Sequence, residues 1–271
     1  MSHVLTPPAG GSPPPRRRRD PVRTAIRGMG EMILTVGLVA LLFVFYEVYV
    51  TDWFSAQKQR EATSQLDQAW HNGRGLVDRP IKGAGIAKMY IPAFGPDFVF
   101  TVLEGTDADV LAAGPGHYQG TALPGQPGDF AVAGHRVGQG SPFNSLDLLS
   151  SCDSVVVETI DRWYVYRVLP LAGEAPGWAA GKGAQPQCRG VAPLPGRYSD
   201  VMGKTVVLPS QVEVIAPVPG HPGRVPTNRL ITLTTCHPQF SASHRLIVHG
   251  VLVAEYPKAA GQRPAELTAD A

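Results

Sequence analysis

The sequence predicts a mainly β domain with short helices, preceded by one transmembrane helix. From about residue 83, short apolar runs that alternate with polar residues recur between turn residues, a pattern typical of a sandwich or barrel. The chain of 271 residues contains 30 glycines and 26 prolines, which favours strands and loops over long helices. One apolar run, residues 32–50, carries a single charge at Glu47 and is long enough to cross a bilayer.

The N-terminal region predicts a membrane anchor. Residues 1–30 are rich in Pro and Arg, and we expect a disordered tail there. Six arginines precede the apolar run, whereas only Lys58 and Arg60 follow soon after it, so the positive-inside rule places the N-terminus in the cytoplasm and residues 51–271 outside. We assign the transmembrane helix to residues 31–53. A cleaved signal peptide is the alternative, as is a tail that binds nucleic acid or acidic lipid.

The remaining segments follow from composition. Residues 54–82 are polar and helix-compatible and predict a stalk. Residues 83–257 form the β domain, within which 171–204 is an insertion rich in Ala, Gly and Pro. Residues 258–271 are polar, and a disordered tail is expected. The candidate strands before the insertion are 87–93, 98–103, 130–134, 155–160 and 163–169, with single helical turns at 106–113 and 145–150.

The last two predicted strands, residues 230–236 and 245–253, each carry a candidate catalytic residue at the end where the two strands meet. Successive side chains of a strand point to opposite faces, so Leu233 and its apolar neighbours share one face while Cys236 lies on the other. Arg245 likewise has the opposite parity to Leu246. If both apolar faces enter one core and the strands pair, Cys236 and Arg245 face each other at the mouth of a hairpin, with Cβ atoms about 4.5–5.5 Å apart.

A cysteine nucleophile needs a base. His135 ends the run 130–134 and is the candidate, because the histidine of a Cys–His pair is near in space and distant in sequence. His237 is adjacent to Cys236 and is its main rival. Neighbouring strand residues point to opposite faces, so His237 is not expected to reach the thiol. We assign Arg136 a structural role on the same argument.

These residues match a known family. The run TLTTC at 232–236, followed by Arg245, resembles the TLxTC…R signature of sortases, and GHYQGTALPGQPGDFAVAGHR at 116–136 resembles the segment that carries the sortase histidine. The similarity is greatest to class E sortases of high-GC Gram-positive bacteria. The resemblance implies a closed eight-stranded β-barrel. It places the insertion between the sixth and seventh strands, with the seventh like residues 212–214.

The resemblance also implies an activity. A sortase is a cysteine transpeptidase that cleaves an LPxTG-like sorting signal, in class E the LAxTG variant, between Thr and Gly. It holds the Thr as a thioacyl-enzyme and passes it to a peptidoglycan amine of the lipid II type. The expected partners are therefore secreted proteins with C-terminal sorting signals, the precursor amine and the membrane. Cys236 would be the nucleophile, His135 the proton carrier, Arg245 the stabiliser of substrate charge, and Thr235 a support for the oxyanion site.

Other functions are disfavoured or remain open. A net charge of +2 does not favour nucleic acid as a partner, and there is no P-loop, Rossmann glycine motif or CxxC pair. Three scattered cysteines predict no metal site, and no cofactor is expected. We expect Cys152 and Cys188 to pair in an outward-facing domain; two free thiols are the alternative. An L,D-transpeptidase or a non-enzymatic surface-anchored β-domain also remains open, and the insertion is either a specificity loop or a tolerated surface segment.

Overall fold

A computed structural model of the chain describes residues 21–46, 51–75, 79–259 and 262–269. Most of the predicted disordered tail, residues 1–20, lies outside the described residues, as do residues 47–50 at the end of the predicted apolar run. The chain divides into two compact units, the first ending at Tyr46 and the second beginning at Glu47.

The described part of the first unit is helix α1, Pro21–Phe45. Among the described residues it is the one helix long and apolar enough to cross a membrane, and all of its side chains are exposed. It begins ten residues before the predicted start at residue 31. Proline is compatible with the first turn of a helix, because the N–H groups there have no intrahelical partner. The predicted disordered tail is therefore wrong for residues 21–30.

The second unit contains a closed β-barrel. Its strands are β1 Gly85–Tyr90, β2 Val99–Glu104, β3 Gly116–His117, β4 Gly128–Ala133, β5 Ser154–Glu158, β6 Arg162–Val168, β7 Lys204–Val207, β8 Arg229–His237 and β9 His244–Pro257. Eight of them pair in a ring in the order β1-β2-β3-β4-β8-β9-β6-β5. The pairs β2–β3 and β4–β8 are parallel. The predicted eight-stranded barrel is thus confirmed.

Strand β7 is a ninth strand outside the ring. The long strand β9 pairs with β8 along one edge, and its other edge is shared: residues 245–248 pair with β7 and residues 250–257 with β6. Residues 212–214, expected as a strand, lie in the 3-10 helix Val212–Ile215 instead. That expectation is wrong because β7 and β6 already occupy the edge of β9 that such a strand would need.

Apolar side chains from every wall meet in one core. Phe130 of β4, Ile231 and Leu233 of β8, and Leu246 and Val248 of β9 are all buried in it. The parity predicted for the last two strands is therefore the parity in the fold. Burial of such side chains is the main stabilising contribution to the barrel.

Helix α2, Thr51–His71, packs along the barrel. The Gln59 side chain accepts a hydrogen bond from the Thr101 N–H at 2.6 Å, and its amide donates to the Ala113 carbonyl at 2.8 Å. Leu66 is buried. The segment predicted as a stalk thus begins with a helix fixed to β2.

The insertion forms a packed layer. It contains three short 3-10 helices, and a disulfide joins Cys188 to Cys152 ahead of β5. Trp178 packs beside this disulfide, and its indole N–H donates to the Val191 carbonyl at 2.9 Å. The partly buried Val253 of β9 contacts the same cluster. The insertion is therefore attached to the barrel at several points.

Two short helices complete the list: α3 is Ala108–Leu111, between β2 and β3, and α4 is Glu266–Ala269, after β9. Leu267 of α4 packs against Trp163 and its apolar neighbours on β5 and β6. The disordered tail predicted over 258–271 is therefore wrong for residues 262–269, because that prediction rested on polarity and missed this apolar contact.

Candidate active site

Cys236 and Arg245 face each other across the β8–β9 hairpin. They are direct register partners near its open end. Of the three cysteines, Cys236 is free, and it is partly exposed. The Arg245 guanidinium donates to the carbonyls of Ala242 and His244, both at 3.0 Å, which holds it at the hairpin mouth. No described carboxylate forms an ion pair with it, so its positive charge is not neutralised there.

His135 follows the end of β4, at the level of Cys236. The parallel register pairs Ala133 with Thr234, and the Gly134 N–H continues it by donating to the Thr234 carbonyl at 3.0 Å. Extended by two residues beyond the Ala133–Thr234 pair, this register places His135 at the level of Cys236. A glycine is required at 134, because a Cβ there would lie 2.6 Å from the Phe143 ring. The fold therefore pairs Cys236 with Arg245 and ends β4 beside β8, with His135 in the loop that follows β4.

The environment of His135 favours its neutral form. Partial burial lowers the pKa of the imidazole, and the Gln139 side chain partly counteracts this effect. A protonated His135 is therefore a ready proton donor, and a neutral one is available to accept a proton.

Arg136 engages the rival histidine. Its Nη1 donates to His237 Nδ1 at 2.8 Å and lies 3.5 Å from the Cys236 carbonyl, while Nη2 pairs with Asp147 at 3.0 Å. A guanidinium accepts no hydrogen bonds, so His237 Nδ1 must be the unprotonated acceptor. The His237 ring is therefore held by Arg136. The buried Arg136 joins the loop after β4 to the end of β8, a link that parity alone did not reveal.

Thr235 has an internal partner. Its buried hydroxyl donates to the Gly134 carbonyl at 2.8 Å, just before His135. The hydroxyl therefore fixes β4 to β8. This leaves the backbone of Thr235 as the route by which it can support an oxyanion.

The sequence reasoning missed Tyr118. Its hydroxyl shares a hydrogen bond of 3.0 Å with the Thr234 hydroxyl, two residues before Cys236 on the same face of β8. The Tyr118 hydroxyl therefore bonds to the residue that precedes the nucleophile on this face. Tyr118 falls within the segment that carries the family resemblance, but its place depends on the β3–β4 pairing, which no local pattern gives.

A second polar group lies further along this face. The Thr232 hydroxyl donates to Asp129 Oδ1 at 2.8 Å and accepts from His249 Nδ1 at 2.7 Å. All three residues are fully buried, and Asp129 Oδ2 has no partner among the described residues. Burial raises the pKa of Asp129 to about 7 and lowers the pKa of His249 to about 4. Thr232 precedes Cys236 by four positions, a distance of about 13 Å along a strand.

No group of three or more metal-ligating His, Cys, Asp or Glu side chains occurs in the part of the chain that the structure describes.

A closed barrel that carries a cysteine and an arginine opposite each other, with a histidine on the adjoining strand end, has the architecture of a sortase. Residues 89–253 match the family model described as the sortase domain. The chain belongs to the sortase family.

Individual relatives point to class E. Sortase SrtE1 of Streptomyces coelicolor is 34% identical over 245 residues, which is 88% of this chain and 60% of that protein. The SrtF sortase of Corynebacterium diphtheriae is 41% identical with a TM-score of 0.61, covering 70% of this chain and 95% of that one. Sortase E1 of S. coelicolor, solved with a tripeptide in the active site, is 33% identical with a TM-score of 0.50, covering 68% and 96%.

Proposed function

We propose that this protein is a membrane-anchored cysteine transpeptidase that cleaves LPxTG-like sorting signals, with preference for LAxTG, between Thr and Gly. The acceptor is a peptidoglycan amine of the lipid II type. The observation that carries the proposal is the direct pairing of Cys236 with Arg245, at the level reached by His135 after β4. The tripeptide in the active site of the S. coelicolor relative supports a peptide substrate.

The first half-reaction forms the thioacyl-enzyme. The Cys236 thiolate attacks the carbonyl carbon of the Thr–Gly bond, and the oxygen gains negative charge. Arg245 donates hydrogen bonds to this oxyanion, as a guanidinium can do without losing its charge. The bond to Gly then breaks, and protonated His135 gives its proton to the leaving amine. The products are a thioester and a neutral imidazole.

The second half-reaction reverses these roles. Neutral His135 takes a proton from the incoming amine, which attacks the thioester carbon. The thiolate leaves, and the new amide bond joins Thr to the acceptor. The lowered pKa of His135 assists the first step, since a weakly basic imidazole gives up its proton readily. The cycle ends with Cys236 and His135 in their starting states.

The membrane anchor determines on which side of the membrane the reaction takes place. Helix α1 is long and apolar enough to span a membrane, and the arginines before it favour a cytoplasmic N-terminus. The catalytic domain then faces the cell wall, where secreted proteins and precursor amines are available. The disulfide between Cys152 and Cys188 suits an oxidising, extracytoplasmic environment.

A peptide assay with the full chain in detergent tests the proposal. LAxTG and LPxTG peptides are incubated with candidate amines, and the thioacyl adduct and products are measured by mass spectrometry. Cys236→Ala should give neither adduct nor product. His135→Ala should lose about 10²–10⁴-fold, the usual value of general acid–base catalysis. Arg245→Lys keeps the charge but loses the planar fork, so it should be badly impaired, and Thr235→Ser should be milder than all three.

His237→Ala is the matched control, because it removes the neighbouring imidazole that Arg136 holds. It should retain most of the activity. An inactive His237→Ala beside a fully active His135→Ala would overturn the assignment of the base. A non-enzymatic β-domain would instead show no adduct on Cys236 with any peptide.

A further inference from the structure

Helix α2 begins where the apolar run ends in the sequence. The run covers residues 32–50, and α2 starts at Thr51. Two residues of chain extend by at most about 7 Å, so Asp52 lies close to the membrane surface when this run crosses a bilayer. The first turn of α2 is therefore the part of the catalytic domain that the sequence links directly to the membrane.

The first turn of α2 contacts the loop that follows His135. The Gly140 N–H donates to Asp52 Oδ1 at 2.9 Å. Ser55 is buried, and its Cβ lies 3.6 Å from where a Cβ on Gly140 would stand. The helix then continues along β2, to which Gln59 is bonded. The end of the barrel that carries His135 is therefore held against the membrane-proximal end of α2.

The tip of the β8–β9 hairpin lies beyond the same end of the barrel. Strands β4 and β8 are parallel, so the loop after β4 and the hairpin after β8 leave the sheet at the same end. Arg136 of the loop donates to His237 of the hairpin at 2.8 Å, which joins the two segments. Residues 51–55, 134–146 and 237–245 therefore lie together, and we call them the active-site end.

The active-site end exposes three aromatic side chains. Trp53 and Phe54 are 59% and 52% exposed and contact each other edge to face, with ring centroids 5.0 Å apart. Phe240, in the hairpin, is 84% exposed, and its φ of 65° is costly for a residue with a Cβ. Neither the backbone conformation nor packing within the described chain favours phenylalanine at this position, so its ring is available for contact with something outside the chain.

The charges of the active-site end suit a lipid surface. Residues 134–146 and 237–245 contain no Asp or Glu. Asp52, the one carboxylate of the active-site end, accepts a hydrogen bond from the loop. Arg245 donates to two backbone carbonyls and forms no ion pair with a described carboxylate, so the hairpin carries an uncompensated positive charge. Exposed aromatic rings beside basic groups are typical of a surface that lies in the membrane interface.

We propose that the active-site end docks onto the lipid surface, with the Phe240 ring inserted at the level of the headgroups together with Trp53 and Phe54. This inference rests on the membrane anchor of the proposed function. A bilayer is the occupant because the chain leads from the apolar run directly into this end of the domain. Cys236 and Arg245 then open close to the lipid surface, where an amine carried by a lipid-linked precursor is located.

Tryptophan quenching by brominated lipids tests the docking. The full chain is placed in lipid nanodiscs with Trp53→Phe as the background, because Trp53 follows the membrane run and belongs at the interface in any case. Adding Phe240→Trp should give an emission component that brominated lipids quench. Adding Val225→Trp is the matched control: Val225 is 73% exposed and precedes β8, at the other end of that strand, so its emission should not be quenched.

Transfer to two kinds of acceptor gives the second readout. Phe240→Ser removes the aromatic ring. In nanodiscs it should raise KM for a lipid-linked amine by roughly three- to tenfold, because a partly inserted ring contributes less than the full burial of a phenylalanine side chain. KM for a water-soluble amine should be unchanged. Val225→Ser is the control and should alter neither value.

The outcomes separate the two proposals. Emission from Phe240→Trp that is as insensitive to brominated lipids as that from Val225→Trp would refute the docking, whereas transpeptidation by the parent protein would still stand. A loss with Phe240→Ser that is equal for both amines would also refute the docking, because Phe240 would then contact the peptide substrate. If Phe240→Trp is quenched although the parent protein processes no peptide, the docking is supported and the proposed function is wrong.

Discussion

Replacing either Asp129 or His249 should change how the stability of the protein depends on pH. Asp129 has a pKa of about 7 in the fold, against an ordinary value of 3.8. The folded state thus keeps a proton that the unfolded state loses, so the contribution of Asp129 is full below pH 3.8 and is lost as the pH rises to 7. Three pKa units correspond to about 4 kcal/mol.

His249 has the opposite effect. Its pKa is about 4 in the fold, against 6.5 ordinarily. The folded state binds fewer protons than the unfolded state in this window. The contribution of His249 is therefore full above pH 6.5 and is lost as the pH falls to 4, a change of about 3 kcal/mol. Between pH 4 and 6.5 the two slopes oppose each other, and the parent protein should be nearly insensitive to pH through this pair.

Each single substitution leaves the pH dependence that the other residue contributes without compensation. In Asp129→Asn, the free energy of unfolding should rise by about 3 kcal/mol from pH 4 to 6.5, because His249 then acts alone. In His249→Asn, it should fall by about 4 kcal/mol from pH 4 to 7. The double variant is the matched control and should be flat again, like the parent.

Denaturant unfolding in detergent, followed by tryptophan fluorescence between pH 4 and 8, measures these slopes. The comparison uses differences between variants at each pH, so contributions shared by all four proteins cancel. Single variants whose profiles run parallel to that of the parent would refute the assignment of a protonated carboxyl and a neutral imidazole to this buried pair.

Two further predictions follow from the fold. Replacing Cys152 and Cys188 by Ser should lower the free energy of unfolding by about 4 kcal/mol in the chain-entropy model, since the closed loop has a sequence separation of 36; an unchanged denaturation midpoint under non-reducing conditions would contradict this. Protease added to intact wall-stripped cells should digest the C-terminal domain and spare an N-terminal tag, because the arginines precede α1; a protected domain would reverse the orientation.

The geometry of the hairpin was predictable from the sequence because it depends on two simple regularities. A strand alternates with period two, and both apolar faces must enter one core. Leu233 and Leu246 fix the inward face, so Cys236 and Arg245 are required to lie on the other, and the register partners are those expected. No local sequence pattern predicts that eight strands close into a barrel, so this prediction depended on the family resemblance.

The parts that could not be predicted depend on competition between distant segments. Residues 212–214 alternate like a strand, yet they lie in a 3-10 helix, and Lys204–Val207 pairs with the edge of β9 instead. In the sequence, Leu267 is an isolated apolar residue in a polar tail. In the fold, it packs against the cluster that contains Trp163. The contacts of Tyr118 and Arg136 likewise join residues that are 116 and 100 positions apart in the sequence.

The threonines of β8 explain why the nucleophile is held so firmly. The Thr232 hydroxyl bonds to Asp129 on β4 and His249 on β9, and the Thr234 hydroxyl bonds to Tyr118 beyond β3. The Thr235 hydroxyl, on the inward face, bonds to the carbonyl that precedes His135. Each of these threonines, which give β8 its alternation of polar and apolar residues, thus connects the strand to a neighbouring segment. Because β8 is fixed to its neighbours on both sides, Cys236 at its end has a defined position relative to both His135 and Arg245.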